Sequence, residues 1–315
     1  MRLVSYLGED GPSAGVVIDG DLVVPIGVEG GLDLALAEDR WDDLLAAAAS
    51  AAASATPRDR LRLDDLDVLP AVEFPGKIVC VGLNYGDHVR EGGRAAPERP
   101  LLFAKFSNTV IGHGEAIVRP EGTHALDLEA ELGVVMAHRA RRVDAAEALD
   151  RVAGYIVVND VSARDWQGTP QALGPGEKGD GQWLRAKGSD TFLPVGPILT
   201  TPDELDPVAG TRVRSWRIPG SGPDAGALLP MQDGNTADMV RPVAELISFI
   251  SRQITLDAGD IIATGTPGGV GVFREPPVFL EPGDRVRCQV DGIGTVENPV
   301  IDWSDAPADE DDQGS

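Results

Sequence analysis

The chain has 315 residues, 42% of them hydrophobic, which is enough to bury a core as one large domain or two smaller ones. Its 51 acidic residues against 27 basic ones give a formal charge of −24, which argues against non-specific binding to nucleic acid or to an anionic membrane and points to small-molecule partners. No leader-like apolar stretch opens the sequence and no later run is long enough to cross a bilayer, so a cytoplasmic protein is expected.

Residues 1–73 read as a small leading α/β module. RLVSYL, AGVVID and LVVPIG are short strand candidates, with IDGD as a hairpin turn, and a helical run is predicted from Leu32 to Ala55, stopped by Pro57. Cys80 and Cys288 lie far apart in apolar or alternating runs, fit neither zinc spacing nor a disulfide framework, and are expected to be buried thiols.

KIVCVGLNYGDHVRE runs from an apolar strand into a polar segment with His88 and Glu91 three residues apart. If this segment is helical the two share a face, and the carboxylate can orient the imidazole as a general base needs. A surface pair in a loop is the alternative. Lys105 falls inside the apolar run PLLFAKF, where it either meets a buried anion or snorkels from a strand edge. Only four lysines occur in the chain, at positions 77, 105, 178 and 187, which draws attention to any that lies inside.

In LDLEAELGVVM, Leu128, Ala130, Leu132 and Val134 alternate with Asp127, Glu129 and Glu131, so a period of two puts several acids on one strand face. Like charges held so close call for a cation. The apolar run Tyr155 to Val158 ends in Asn159 and Asp160, where a buried strand would surface. Glu129, Glu131 and Asp160 are thus candidate ligands for a hard divalent cation with oxygen preference; a solvated sheet face with a strand-end turn is the other reading. Between the two strands, Asp144 and Glu147 give a capping-box pattern for a connector helix ending near Gly154.

Arg164 follows Asp160 closely and either braces a carboxylate, contacts an anionic substrate, or simply pairs charge at a strand end. The glycine-rich stretch 168–181 leads to Lys187, a candidate interior cation that would donate to a developing oxyanion. Residues 201–230 read as a variable hairpin or insertion. A helix with Val243, Leu246, Ile247 and Ile250 as its buried stripe comes next. DAGDIIATGTPGGVG joins a strand to a glycine-rich turn that is neither a Walker loop nor GxGxxG, with Thr264 and Thr266 able to face a ligand. EPGDRVRCQVDGIGTVENPV closes as a β-hairpin, and 304–315 is an acidic tail expected to be disordered.

In this order, KIVCVGLNYGDHVRE, LDLEAELGVVM, GYIVVNDVSARDWQ, QWLRAKGSDTFLPVGP, QDGNTADM, GDIIATGTPGGVG and EPGDRVRCQVDGIGTVENPV resemble the fumarylacetoacetate hydrolase family over about residues 74–303. The resemblance implies an α+β, β-rich catalytic domain (74–303) with a mixed β-roll, a small N-terminal domain (1–73) and a homodimer. It implies Mg²⁺ or Mn²⁺ on Glu129, Glu131 and Asp160, with His88 and Glu91 as a water-activating dyad on a segment that orders over substrate. Lys187 matches a charge-stabilising lysine, Gln167 and Thr266 match pocket positions, and Arg164 sits in its motif as support for the metal carboxylates; Arg164 and Lys105 are also expected to contact substrate. Leu128, where many members carry an aromatic residue, and KFSN around Lys105 depart from the family pattern.

The chemistry so implied is metal-dependent hydrolysis of a carbon–carbon bond in an acylpyruvate or other 1,3-dicarbonyl acid. The alternatives are a decarboxylase or an isomerase/tautomerase of an enolisable keto acid on the same site, with a non-catalytic binding protein third. The presence of both His88 and Glu91 favours hydrolysis or decarboxylation over isomerisation.

Overall fold

Among the described residues the strands build two main sheets and two short two-stranded ones, Leu126–Asp127 with Ser162–Ala163 and Val110–Ile111 with Leu193–Pro194. The structure, a computed structural model, describes residues 1–93 and 95–307. The larger sheet has ten strands, in the order Leu61–Arg62, Leu22–Glu29, Gly11–Ile18, Arg2–Gly8, Ile198–Thr200, Val152–Asn159, Ala130–Met136, Ile261–Ala263, Ile78–Gly82 and Leu101–Lys105. Its neighbours are antiparallel except where Ile261–Ala263 runs parallel to Ile78–Gly82. The smaller sheet orders Leu229–Asn235, Arg212–Ile218, Arg285–Val290, Gly294–Asp302 and Ile117–Arg119, the last pair parallel. The fold is therefore mixed and rich in strand, as the sequence pattern and the resemblance implied.

The two faces of Ala130–Met136 are covered from different sides, which explains why the whole strand is buried. Leu132 and Val134 join an apolar cluster with Val213, Val286 and Val296 of the smaller sheet. Val135 joins Leu36, Trp41 and Leu44 of the N-terminal helices. Each such fully buried aliphatic side chain contributes about 1.5–3 kcal/mol relative to exposure. A solvated acidic face is thereby ruled out for this strand.

The N-terminal segment is tied to the rest by main-chain pairing: Arg2, Leu3 and Val4 lie opposite Thr200, Leu199 and Ile198, so the larger sheet runs across the expected boundary at residue 73. The IDGD turn forms, with Asp19 and Gly20 both at positive φ. Cys80 and Cys288 are buried and free.

Several local expectations are corrected. The helix predicted over Leu32 to Ala55 is two helices, Gly31–Ala37 and Trp41–Ser54, broken where Asp39 takes φ 55°. Leu34 is consequently turned outward, 37% exposed. Asp144 precedes Ala145–Ala148 but makes no side-chain cap, and the helical run continues only through the 3-10 turn Leu149–Arg151, because Val152 and Gly154 already belong to the next strand. For 201–230 the hairpin reading holds and the insertion reading does not: Arg212–Ile218 pairs antiparallel with the next strand, Leu229–Asn235, and on its other side with Arg285–Val290, which makes it an inner strand of the smaller sheet. Trp303–Asp305 forms a 3-10 turn, and 308–315 of the expected tail lies outside the described residues.

Candidate active site

Antiparallel register sets Ala130 opposite Asn159 and Glu131 opposite Val158, so acids from two neighbouring strands converge at one end of the sheet. The junction is held locally. The Asp160 amide donates to the Glu129 carbonyl at 2.9 Å, and the Glu129 amide donates to Asn159 Oδ1 at 2.9 Å. Glu129, Glu131 and Asp160 are 6%, 2% and 0% exposed, and one carboxylate oxygen from each lies within 4.8 Å of the other two.

Buried carboxylates at this spacing require compensating charge. Lys187 Nζ donates to Glu129 Oε2 and Asp160 Oδ2, both at 2.8 Å. Lys105 Nζ sits 2.8 Å from Asp160 Oδ1, and Arg164 Nη2 sits 2.7 Å from Glu129 Oε1. Burial opposes ionisation of Glu129, but Lys187 and then Arg164 overcome it and hold the carboxyl well below its usual range. Burial likewise works against the Lys187 ammonium, and Asp160 and Glu129 more than restore it, raising its pKa above the ordinary lysine value.

Glu131 is different. Its Oε2 accepts the Gly265 amide at 2.8 Å, and no lysine or arginine among the described residues pairs with it. Burial first, then repulsion from Asp160 and Glu129, push its carboxyl well above the usual value. Of the four acids Asp127, Glu129, Glu131 and Asp160, the three basic groups Lys105, Arg164 and Lys187 pair with all but Glu131. An all-oxygen, buried and electron-rich donor set of this kind fits a hard divalent cation.

His88 reaches the same cavity from the six-residue helix Gly86–Glu91. Helical spacing brings Nδ1 to 2.7 Å from Glu91 Oε1, while Glu91 Oε2 accepts the Gly269 amide at 2.8 Å. With Nδ1–H donating to the carboxylate, Nε2 carries the lone pair that moves a proton. Glu129, Glu131, Arg164, Lys187 and His88 line one cavity of about 300 Å³.

Gln167 and Thr266 also line this cavity. Gln167 Oε1 accepts from Arg164 Nη1 at 3.2 Å, and Thr266 Oγ1 donates to the Ala130 carbonyl at 2.9 Å. Lys105 does not reach the cavity wall, contrary to its expected place near substrate. Its ammonium is wholly buried against Asp160 and donates to the Val161 and Phe192 carbonyls at 3.1 and 2.7 Å, which fixes Asp160 from behind.

Three contributors escaped the sequence reading. Asp127, in the same alternation as the glutamates, pairs with Arg164 Nε at 2.9 Å. Gln232, inside the quoted QDGN motif, accepts the Ala130 amide at 2.9 Å and donates to Thr266 Oγ1 at 2.6 Å, linking the smaller sheet to the acidic strand. The aromatic wall of Phe103, Trp183 and Phe273 comes from three distant segments and left no local signal.

A family model described as fumarylacetoacetate (FAA) hydrolase, C-terminal, matches residues 77–301, which contain every one of these residues. The chain belongs to the fumarylacetoacetate hydrolase family. Within the family, the mitochondrial oxaloacetate tautomerase FAHD2A of Bos taurus is 41% identical over 249 residues, covering 79% of this chain and 74% of that protein. The 5-carboxymethyl-2-hydroxymuconate delta-isomerase of Mycobacterium smegmatis superposes with a TM-score of 0.71 at 31% identity, over 96% of this chain and all of that one. The fumarylacetoacetate hydrolase of Exiguobacterium antarcticum gives 0.77 at 30% identity, over 96% and 99%. Fumarylacetoacetate hydrolase family relatives thus carry tautomerase, isomerase and hydrolase names, and the first of them is named mitochondrial. No helix among the described residues is long and apolar enough to cross a membrane.

Proposed function

We propose that the protein is a divalent-cation-dependent tautomerase or isomerase of an enolisable 2-oxo acid, with oxaloacetate as the first candidate substrate. The observation that carries this reading is a carboxylate triad two of whose members, Glu129 and Glu131, line one cavity with the imidazole of His88, whose Nδ1 is engaged by Glu91 and whose Nε2 has no partner among the described residues. Mg²⁺ or Mn²⁺, when bound, supplies positive charge to the carboxylate and oxo oxygens of the substrate. His88 Nε2 takes a proton from the carbon next to the oxo group, and Glu91 stabilises the imidazolium so formed. The proton is returned to oxygen, or to another carbon in an isomerisation, and no carbon–carbon bond breaks. Lys187 has three N–H donors, two committed to Glu129 and Asp160, and the third faces substrate oxygen as negative charge develops.

The dyad, expected to favour hydrolysis or decarboxylation, does not by itself discriminate, because an imidazole oriented in this way can take a proton from carbon or from water. The names of the tautomerase and isomerase relatives support the isomerising alternative. Carbon–carbon cleavage of an acylpyruvate is the second reading, supported by the hydrolase relative; it requires His88 to activate water instead. The reading includes a cytoplasmic homodimer, whose assembly sedimentation of the purified protein tests.

The deciding experiment incubates the Mn²⁺-loaded protein with the enol form of oxaloacetate, an acylpyruvate and an unsaturated keto acid, and follows both absorbance and product mass. Decay of the enol spectrum at unchanged mass is the expected result. Two fragments carrying the mass of water would establish the hydrolase instead, and loss of carbon dioxide a decarboxylase.

A further inference from the structure

Asp127 is 1% exposed and does not line the cavity, yet its carboxylate is among the most fully engaged in the molecule. Oδ1 accepts the amides of Leu128 at 2.9 Å and Gly271 at 2.8 Å; Oδ2 accepts the Val272 amide at 3.1 Å and Arg164 Nε at 2.9 Å. A carboxylate satisfied by four donors is rigidly placed. Arg164, itself 4% exposed, turns its other edge to Glu129, with Nη2 2.7 Å from Oε1. A continuous path thus runs from the 271–272 backbone through Asp127 and Arg164 to Glu129.

The backbone segment at the start of that path serves the rest of the site as well. The Gly265 amide holds Glu131 and the Gly269 amide holds Glu91, each at 2.8 Å. Within eight residues, four amides each grip a carboxylate of the site. Close approach requires small residues here: a Cβ on Gly271 would stand 1.9 Å from the Val278 carbonyl and 2.6 Å from Asp127 Oδ1.

We propose that Asp127 is a positioning residue for the cation site, fixing Glu129 through Arg164 and tying it to the 265–272 segment that also orients Glu131 and the His88–Glu91 pair. The inference rests on the cation site of the preceding reading. Asparagine cannot replace Asp127, because its amide nitrogen would point a donor either at the Leu128 and Gly271 amides or at Val272 and Arg164. Outer partners of metal ligands typically govern affinity by about 10- to 100-fold.

The test is the Mn²⁺ dissociation constant of the purified protein, measured by calorimetry or electron paramagnetic resonance, which needs no substrate. Asp127→Asn is expected to weaken Mn²⁺ binding by about 10- to 100-fold, and Arg164→Gln by a similar factor. The double variant is expected to be no weaker than the worse single one, because both cut the same path. Asp33→Asn removes another carboxylate that accepts backbone amides, those of Glu73 and Phe74, and is expected to lower thermal stability without changing Mn²⁺ affinity.

An unchanged constant in folded Asp127→Asn, or multiplied losses in the double variant, overturns the role of Asp127. Should Asp127→Asn not fold, Arg164→Gln decides: weakened binding supports the path and unchanged binding overturns it. If the unsubstituted protein binds no Mn²⁺, both this inference and the cation site fall.

Discussion

Glu129 and Glu131 of the acidic cluster line the same cavity as His88, but the cluster and the His88–Glu91 pair are held by very different amounts of structure. Glu129 and Asp160 are fixed by Lys187, Lys105 and Arg164, by each other's backbone, and by two packed strands. His88 sits on a helix of six residues whose carboxylate partner is anchored by one amide from another segment. Charge buried without water is tolerated only where partners are fixed in advance, so the cluster is woven into the core. The group that moves a proton to and from substrate is instead carried by a short helix with few anchoring contacts.

The comparison breaks most completely at Asp160. Asp160→Ala leaves Lys105 as an uncompensated buried charge and Lys187 with Glu129 as its one carboxylate partner, and a loss of about 3–5 kcal/mol in stability is expected together with loss of cation binding. Chemical denaturation and Mn²⁺ titration measure both. His88→Ala should show the opposite profile: turnover falls about 100- to 10,000-fold while Mn²⁺ affinity and melting temperature hold. A parallel loss of Mn²⁺ affinity there would mean the two regions are not separable.

Glu131→Gln sharpens the contrast inside the cluster. Because burial and its acidic neighbours disfavour the ionised form, the neutral amide is expected to raise the melting temperature of the cation-free protein by a few degrees and to abolish the further rise on adding Mn²⁺. Scanning fluorimetry with and without Mn²⁺ checks it. The smallest effect is expected from Glu91→Gln, which keeps a hydrogen bond to Nδ1 but not its charge; losing about 1–1.5 kcal/mol reduces turnover roughly tenfold, with Mn²⁺ affinity unchanged.

Much of this site could be read in advance because its chemistry is concentrated in short patterns. Glu129 and Glu131 share a face through strand alternation, and His88 and Glu91 share one through helical spacing, so each pair is a local fact. Lys105 shows the limit of that logic. Its place in an apolar run announced burial, but whether it faced substrate or the back of Asp160 depended on strand packing that no window of sequence contains. The split of the first long helical pattern at Asp39, and the inner position of Arg212–Ile218, were hidden for the same reason.

By itself, then, the sequence determined which side chains were available, which of them fall on a common face, and that their acids needed a cation. Tertiary structure alone decided how charge is shared among them. Lys187, Lys105 and Arg164 arrive from separate elements and claim Glu129, Asp160 and Asp127, leaving Glu131 without a cationic partner among the described residues. The physical reason is that periodicity acts over a few residues along the chain, whereas electrostatic compensation acts over a few ångströms in space, and only folding brings the two distances together.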